Sequence, residues 1–263
     1  MKKISHGGNI YKKAKEMGIR EEDILDFSAN ISPLGLPEHI RKAMIEAIDG
    51  TINYPDPDCS RLKEAISKQD NVPESHITCG NGGADLLYRL AFGLHPKKVL
   101  LPAPAFVEYE EALSAAGAQM EYYLMRDDFV IKEDILEQIT EETDFVVICN
   151  PNNPTGILTE KELILRVLER AKETNTFVMA DECFLEICQN ESEYTVKPFI
   201  EKYENLIILK SFTKLYAIPG VRLGYILAGS EDVIAKVNRT GQAWSVSHIA
   251  QCAGVAALSD NVY

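Results

Sequence analysis

The stretch from Ser211 to Arg222 reads Ser-Phe-Thr-Lys-Leu-Tyr-Ala-Ile-Pro-Gly-Val-Arg, directly after the apolar run Leu206-Ile-Ile-Leu-Lys. A lysine just past the end of a buried strand loses the water that favours its ammonium form. Its pKa falls and the amine becomes a usable nucleophile. Amines prepared in this way form Schiff bases with carbonyl compounds. Lys214 is therefore the first candidate for chemistry. Ser211, Thr213 and Arg222 have the right types to donate to a single phosphate, and arginine offers its oxygens a forked contact. Taken alone, Lys214 is as well explained as a solvated loop residue and Arg222 as half of a surface ion pair.

The ends of the other apolar runs carry more. In an open parallel sheet, ligands sit beyond the carboxyl ends of the strands. After residues 76–79 comes Gly80-Asn-Gly-Gly-Ala and then a helical pattern. Gly82 and Gly83 let a backbone approach closely, and a helix N-terminus offers unpaired N–H groups to a phosphate. After residues 98–101 comes Pro-Ala-Pro-Ala-Phe106, an aromatic placed to stack on a planar ring or to pack in the core. After residues 144–149 comes Asn150-Pro-Asn-Asn-Pro-Thr-Gly156, a rigid turn whose asparagines, Asn153 among them, are directional donors. After residues 177–180 comes Asp181-Glu182. A carboxylate there can keep a ring nitrogen protonated, or simply cap a helix.

The elements that must position these residues are legible as strand–helix alternation. Candidate strands are 76–79, 98–101, 144–149, 177–180, 206–209 and 224–228, most of them continuously apolar, as when both faces of a strand are covered. Candidate helices are 37–49, 61–69, 84–94, 106–116, 131–139, 160–173 and from 231 onward, with Thr159 as an N-cap and Glu162 at the capping-box position. The pattern predicts an α/β fold, a mostly parallel sheet with helices on both faces. The Pro/Gly-rich segment 32–37 divides an N-terminal arm, 1–36, from a large domain, 37–263.

The totals narrow the function. The chain has 263 residues and a net charge of −13, which argues against a nucleic-acid partner and leaves any anionic ligand to a local pocket. Its six cysteines show no paired spacing, pointing to a reducing, cytoplasmic setting, and the five histidines show no metal-ligand pattern. The N-terminus lacks the apolar stretch of a signal peptide, and no run is long enough for a membrane span.

A phosphate cradle, a stacking aromatic, a ring-nitrogen carboxylate and a reactive lysine together make up the requirement of pyridoxal 5′-phosphate. In Asn-Pro-Asn-Asn-Pro-Thr-Gly, Asp-Glu and Ser-x-x-Lys-x-x-x-x-Pro-Gly-x-Arg-x-Gly the chain resembles the fold-type I pyridoxal-phosphate enzymes, aminotransferase class I/II, over nearly its whole length. Its character is that of the histidinol-phosphate aminotransferases and threonine-phosphate decarboxylases, and the opening His6-Gly-Gly-Asn9 and Asp26-Phe-Ser-Ala-Asn-Ile-Ser-Pro-Leu-Gly35 lean toward the latter. The resemblance implies that Lys214 holds the cofactor and later moves a proton, and that Asp181 pairs with the ring nitrogen. It puts Asn153 on the ring 3-oxygen and Phe106 on the ring. It gives the phosphate to Gly82, Gly83, Ser211, Thr213 and Arg222, with Tyr54 reaching the phosphate of a second subunit in a homodimer. His6, Gly7 and Asn30 would face the substrate, with Asn153 beside them.

Two departures from the family pattern stand out. Phe184 occupies the place of a tyrosine that usually helps bind the ring oxygen, and the C-terminal small domain, with the arginines that grip the substrate carboxylate, is expected to be absent. The expected function is decarboxylation of a small phosphorylated amino acid of the L-threonine-O-3-phosphate kind. The alternative is transamination of the histidinol-phosphate kind. Which follows depends on whether carboxylate or hydrogen stands perpendicular to the ring. A non-catalytic cofactor-binding scaffold is a rival of another class. A nucleotide-binding protein using residues 80–83 is another, disfavoured by the lack of an acidic residue after 98–101.

Overall fold

The computed structural model describes residues 7–259. Its seven-stranded sheet comprises β1 (Ile77–Gly80), β2 (Lys98–Ala103), β3 (Gln119–Leu124), β4 (Phe145–Cys149), β5 (Phe177–Asp181), β6 (Leu206–Ser211) and β7 (Gly224–Ala228), in the order β1-β7-β6-β5-β4-β2-β3. Strands β2 to β6 run parallel, and β7 is antiparallel to both β6 and β1. The helices are α1 (Ile10–Met17), α2 (Glu38–Glu46), α3 (Ser60–Asp70), α4 (Gly83–Leu94), α5 (Val107–Ala115), α6 (Ile135–Gln138), α7 (Lys161–Glu173), α8 (Glu191–Tyr194), α9 (Phe212–Leu215), α10 (Glu231–Thr240) and α11 (His248–Ala257).

The continuously apolar strands are explained by two cores, one on each face. Side chains alternate along a strand. Leu206 and Ile208 join Val146, Ile148, Val178 and Ala180 in a core closed by α3, α7 and α11. Ile207 and Leu209 join Val147, Cys149 and Met179 in a second core closed by α4, α5 and α10. All six expected strands are present. The seventh, β3, is an edge strand whose side chains are mostly exposed, so its sequence carries no apolar run. The helix expected from 231 onward stops at Thr240 and a second begins at His248, while the one expected over 131–139 shrinks to Ile135–Gln138.

The capping expectation at 159–162 is corrected. The N-cap of α7 is Glu160, and no side chain caps it. Thr159 is instead buried and tied to Asn150. Its backbone N–H donates to Asn150 Oδ1 at 2.8 Å, and its carbonyl accepts from Asn150 Nδ2 at 3.1 Å. The threonine anchors the asparagine-rich loop rather than the helix.

Lys210 faces away from the site, on the α3–α7 side, and is 1% exposed. Its Nζ lies 3.1 Å from Glu186, 3.6 Å from Glu191 and 3.9 Å from Glu182. Burial alone would push the Lys210 ammonium toward neutrality, but the three carboxylates outweigh it and the net shift is upward. Glu182 accepts from Thr195 Oγ1 and the Val196 N–H, and burial pushes its carboxyl up. Removing one partner of a buried pair leaves the other uncompensated. Lys210→Met is expected to lower unfolding free energy by about 3 kcal/mol at pH 7. A carboxyl raised by folding binds its proton more tightly in the native state, so the cost is smallest below its unfolded pKa and grows as pH rises through the folded one. Urea titrations at pH 5 and pH 8 should show a larger deficit at pH 8.

Candidate active site

Asp181, Leu209 and Ser211 project from the carboxyl ends of β5 and β6 onto the α4–α5 face, where Cys149 of β4 also points. They open into a cavity of about 190 Å³. Its floor is Asp181, Leu209 and Ser211. Gly83, Ala84 and Leu87 of α4 form one wall, Phe106 and Tyr109 another, and Asn153, Cys183, Phe184, Thr213, Lys214 and Arg222 close the rest.

Lys214 sits on α9, which starts directly at the end of β6 with Ser211 as its N-cap. Ser211 Oγ accepts from the Thr213 N–H at 3.2 Å and lies 2.8 Å from Thr213 Oγ1. Burial lowers the Lys214 pKa and outweighs the rest: Cys183 pulls it back up, the nearby Arg222 charge lowers it again, and Asp181 raises it least. Its Nζ donates to the carbonyl of Ala29 at 2.9 Å and stands 5.2 Å from the centre of the Phe184 ring. The Ser32 N–H donates to the Lys214 carbonyl at 3.0 Å. The N-terminal arm thus grips the lysine from two sides, which the sequence did not signal. Phe184 is half-buried and faces the lysine, so packing in the core is not its role.

Asp181 is 6% exposed and both its oxygens are occupied. Oδ2 accepts from the Tyr109 hydroxyl at 2.6 Å and Oδ1 from the Cys183 N–H at 2.9 Å. It caps no helix. Tyr109 is a site residue that the sequence reading misses. It falls three residues after Phe106 within a helical pattern, so the spacing that places both on one helix face was the available signal. The two rings meet edge to face at 5.6 Å.

The loop after β4 is held by its other asparagines. The Asn150 N–H donates to the Asp181 carbonyl at 2.8 Å, and Asn152 Nδ2 donates to Pro104 O at 3.1 Å and Thr155 Oγ1 at 2.9 Å. Asn153 is left lining the cavity, with no side-chain hydrogen bond among the described residues.

The cradle at α4 is equally specific. Gly82, at φ +87°, is the N-cap, and no side chain caps the helix, so the first-turn N–H groups at Gly83 and Ala84 face the cavity unclaimed. A Cβ on Gly82 would stand 2.5 Å from Arg222 Nη2. A Cβ on Gly224 would stand 3.1 Å from the Gly83 nitrogen, which shows how closely β7 presses the cradle. Arg222 donates to the Pro219 carbonyl at 3.1 Å and has no carboxylate partner among the described residues, so it is not half of a surface ion pair. Gly82→Ala is expected to cost about 1–2 kcal/mol of stability through backbone strain. It should also weaken phosphate-bearing ligands about tenfold by displacing a charged donor. Thermal denaturation and equilibrium dialysis would measure the two effects.

Of the remaining expected residues, Asn30 lines an adjoining cavity of about 330 Å³ that shares Asn153 and Phe184 with the first. Gly7 does not line either cavity; it packs on Ser28. His6 lies outside the described residues. Tyr54 does not line its own chain's cavity; it is 79% exposed and stacks on Trp244 at 4.6 Å.

A parallel sheet with a lysine, a carboxylate and an uncapped helix end converging beyond its strand tips defines the fold-type I class of pyridoxal-phosphate enzymes. The chain belongs to the aminotransferase class I and II family, whose model matches residues 22–262. It is 36% identical to the threonine-phosphate decarboxylase of Salmonella typhimurium over 98% of this chain and 71% of that protein. Among solved structures, histidinol-phosphate aminotransferase from Clostridium acetobutylicum superposes with a TM-score of 0.84 at 30% identity, over 90% of this chain and 70% of that one. L-threonine-O-3-phosphate decarboxylase from Porphyromonas gingivalis superposes with a TM-score of 0.80 at 29% identity, over 90% and 69% respectively.

The protein is accordingly an enzyme of this family and its cofactor is pyridoxal 5′-phosphate. The residues fit that group. The Arg222 guanidinium, which has no carboxylate partner among the described residues, and the N-terminus of α4, which no described side chain caps, suit a phosphate, and Asp181 suits a cationic ring nitrogen. The lowered Lys214 pKa suits capture of an aldehyde.

Proposed function

We propose that the chain acts on a small amino acid carrying a phosphate, as an L-threonine-O-3-phosphate decarboxylase-like enzyme. The observation that carries the site assignment is the convergence on one cavity of Lys214, Asp181 and an Arg222 that has no carboxylate partner among the described residues. The decarboxylase likeness at 36% identity and Phe184 in place of a hydroxyl-bearing residue support the choice of reaction.

When bound, the cofactor supplies an aldehyde for the substrate amine and a ring that takes up the electrons of the bond broken at the substrate α-carbon. The chain's residues do the rest. The N–H groups of Gly83 and Ala84, with Arg222, Ser211 and Thr213, bind the phosphate. Asp181 would pair with the ring nitrogen, and Phe106 would rest on the ring. Asn153 donates to the ring 3-oxygen without help from Phe184. Lys214 Nζ would be the amine that holds the cofactor aldehyde in the resting enzyme, and the group that would hold or deliver a proton beside the substrate α-carbon. Ala29 and Ser32 of the arm hold Lys214, and Asn30 lies toward the substrate side, in a reading that assigns 1–36 to the arm and 37–263 to the large domain.

A second reading, transamination of the histidinol-phosphate kind, is favoured by the 0.84 superposition. Carbon dioxide release from O-phosphothreonine without a keto acid supports the first reading. Turnover of histidinol phosphate that requires 2-oxoglutarate overturns it for the second. Protein that binds the cofactor but turns over neither is a scaffold. The exposed aromatic pair Tyr54 and Trp244, with Ile52 88% exposed nearby in sequence, supports a homodimer in which Tyr54 reaches a partner's phosphate, testable by sedimentation. The six cysteines are free, which supports a reducing, cytoplasmic location.

A further inference from the structure

Among the described residues, Asp181 is the only carboxylate lining the cofactor cavity, and the neutral side chains beside it are the Tyr109 phenol and the Cys183 thiol, of which the phenol makes the short hydrogen bond. The Tyr109 hydroxyl donates to Oδ2 at 2.6 Å from a ring that is 1% exposed. Water cannot substitute for it there. The phenol has no alternative carboxylate among the described residues, and α5 holds the ring in place against Phe106. Burial first, and then the Asp181 charge, push the Tyr109 hydroxyl well above its ordinary pKa, so it remains a donor at all working pH values.

We infer that Tyr109 is a positioning residue that sets where the proton shared between Asp181 and the cofactor ring nitrogen resides. A hydrogen bond donated to a carboxylate stabilises its ionised form. With Tyr109 donating to one oxygen and the Cys183 N–H to the other, Asp181 is a weak competitor for the ring proton, which stays on the nitrogen. Without the phenol, the carboxylate draws the proton toward itself, and the ring becomes a poorer acceptor of electrons. The inference rests on the reading that Asp181 faces the ring nitrogen. Tyr109 touches neither substrate nor ring nitrogen and acts through Asp181.

The test compares two cofactors on the apoprotein, pyridoxal 5′-phosphate and its 1-deaza analogue, in which C–H replaces the ring nitrogen. Dissociation constants are measured for the native chain and for Tyr109→Phe, with thermal denaturation alongside. The native chain should prefer the natural cofactor. Tyr109→Phe should bind it about tenfold more weakly, the worth of one hydrogen bond to a charged group, while binding the analogue within about twofold of native on the same scale. Equal losses for both cofactors mean a merely structural tyrosine and overturn the inference, as does no loss for either. If the native chain fails to distinguish the two cofactors, the assignment of Asp181 itself is wrong. Should Tyr109→Phe not fold, Tyr109→His is measured in the same way. A smaller loss confined to the natural cofactor supports the inference, and a loss shared by both overturns it.

Discussion

Lys214→Ala should abolish borohydride-stable labelling of the chain by pyridoxal 5′-phosphate and lower turnover by at least about four orders of magnitude. Losing both a covalent anchor and a proton carrier justifies that size, since a positioned acid–base group alone contributes about 10²–10⁴. The fold should survive. Lys214 is only part-buried, its Nζ makes a single hydrogen bond among the described residues, to Ala29 O, and its α9 backbone is held through Ser211 and Ser32. Mass mapping of reduced peptides separates the outcomes: a pyridoxyl group on any other lysine of the variant at native yield removes Lys214 from its role. The native chain carries a pH signature as well. Burial lowers the Lys214 pKa, so the free amine is populated at a pH where an ordinary lysine is still charged. Covalent capture of the aldehyde should therefore level off below the usual lysine range. Arg222→Met removes a like charge, and should shift that plateau upward as well as weaken phosphate binding.

What could be seen in the sequence follows from how local each signal was. The strands β4, β5 and β6 were legible because both faces are covered, which writes an unbroken apolar run. The chemistry at their ends was legible because a strand tip fixes where the next residue lies, as for Asp181 and Ser211. Edge strand β3 was not, since Glu121, Tyr122 and Leu124 are exposed and no core dictates their type. The antiparallel entry of β7 between β1 and β6 left no mark either, because a buried strand reads alike in both directions. Contacts between distant segments were the least visible. Ala29 presents only a backbone carbonyl to Lys214, and no side-chain type betrays that. Tyr109 looked like any core aromatic until the sheet brought Asp181, 72 residues away, to its hydroxyl. Thr159 misled because a threonine two residues before a helix suits a cap as well as a partner for Asn150.

Asp181→Asn is the counterpart test, since it changes charge with almost no change of shape. The amide keeps one present contact and reverses the other: its oxygen accepts from the Cys183 N–H, while its nitrogen can only donate to the Tyr109 oxygen, so the phenol proton loses its acceptor. The substitution should therefore cost about 1–3 kcal/mol of thermal stability, the penalty for one buried donor left without its acceptor. What disappears is the negative charge that balances a cationic ring. Removing one preorganised electrostatic contact in a water-poor site costs about 10²–10³ in rate, and the upper end is expected because burial keeps water from supplying a replacement. Cofactor affinity should fall much less, since the phosphate contacts at Gly83, Ala84 and Arg222 lie at the opposite end of the ligand from the ring nitrogen. The expected result is thus a large loss in kcat with the lysine still labelled at native yield after borohydride. A variant that keeps kcat within a factor of about ten would mean that the carboxylate is structural, and that the electrons released at the substrate α-carbon are accommodated without it.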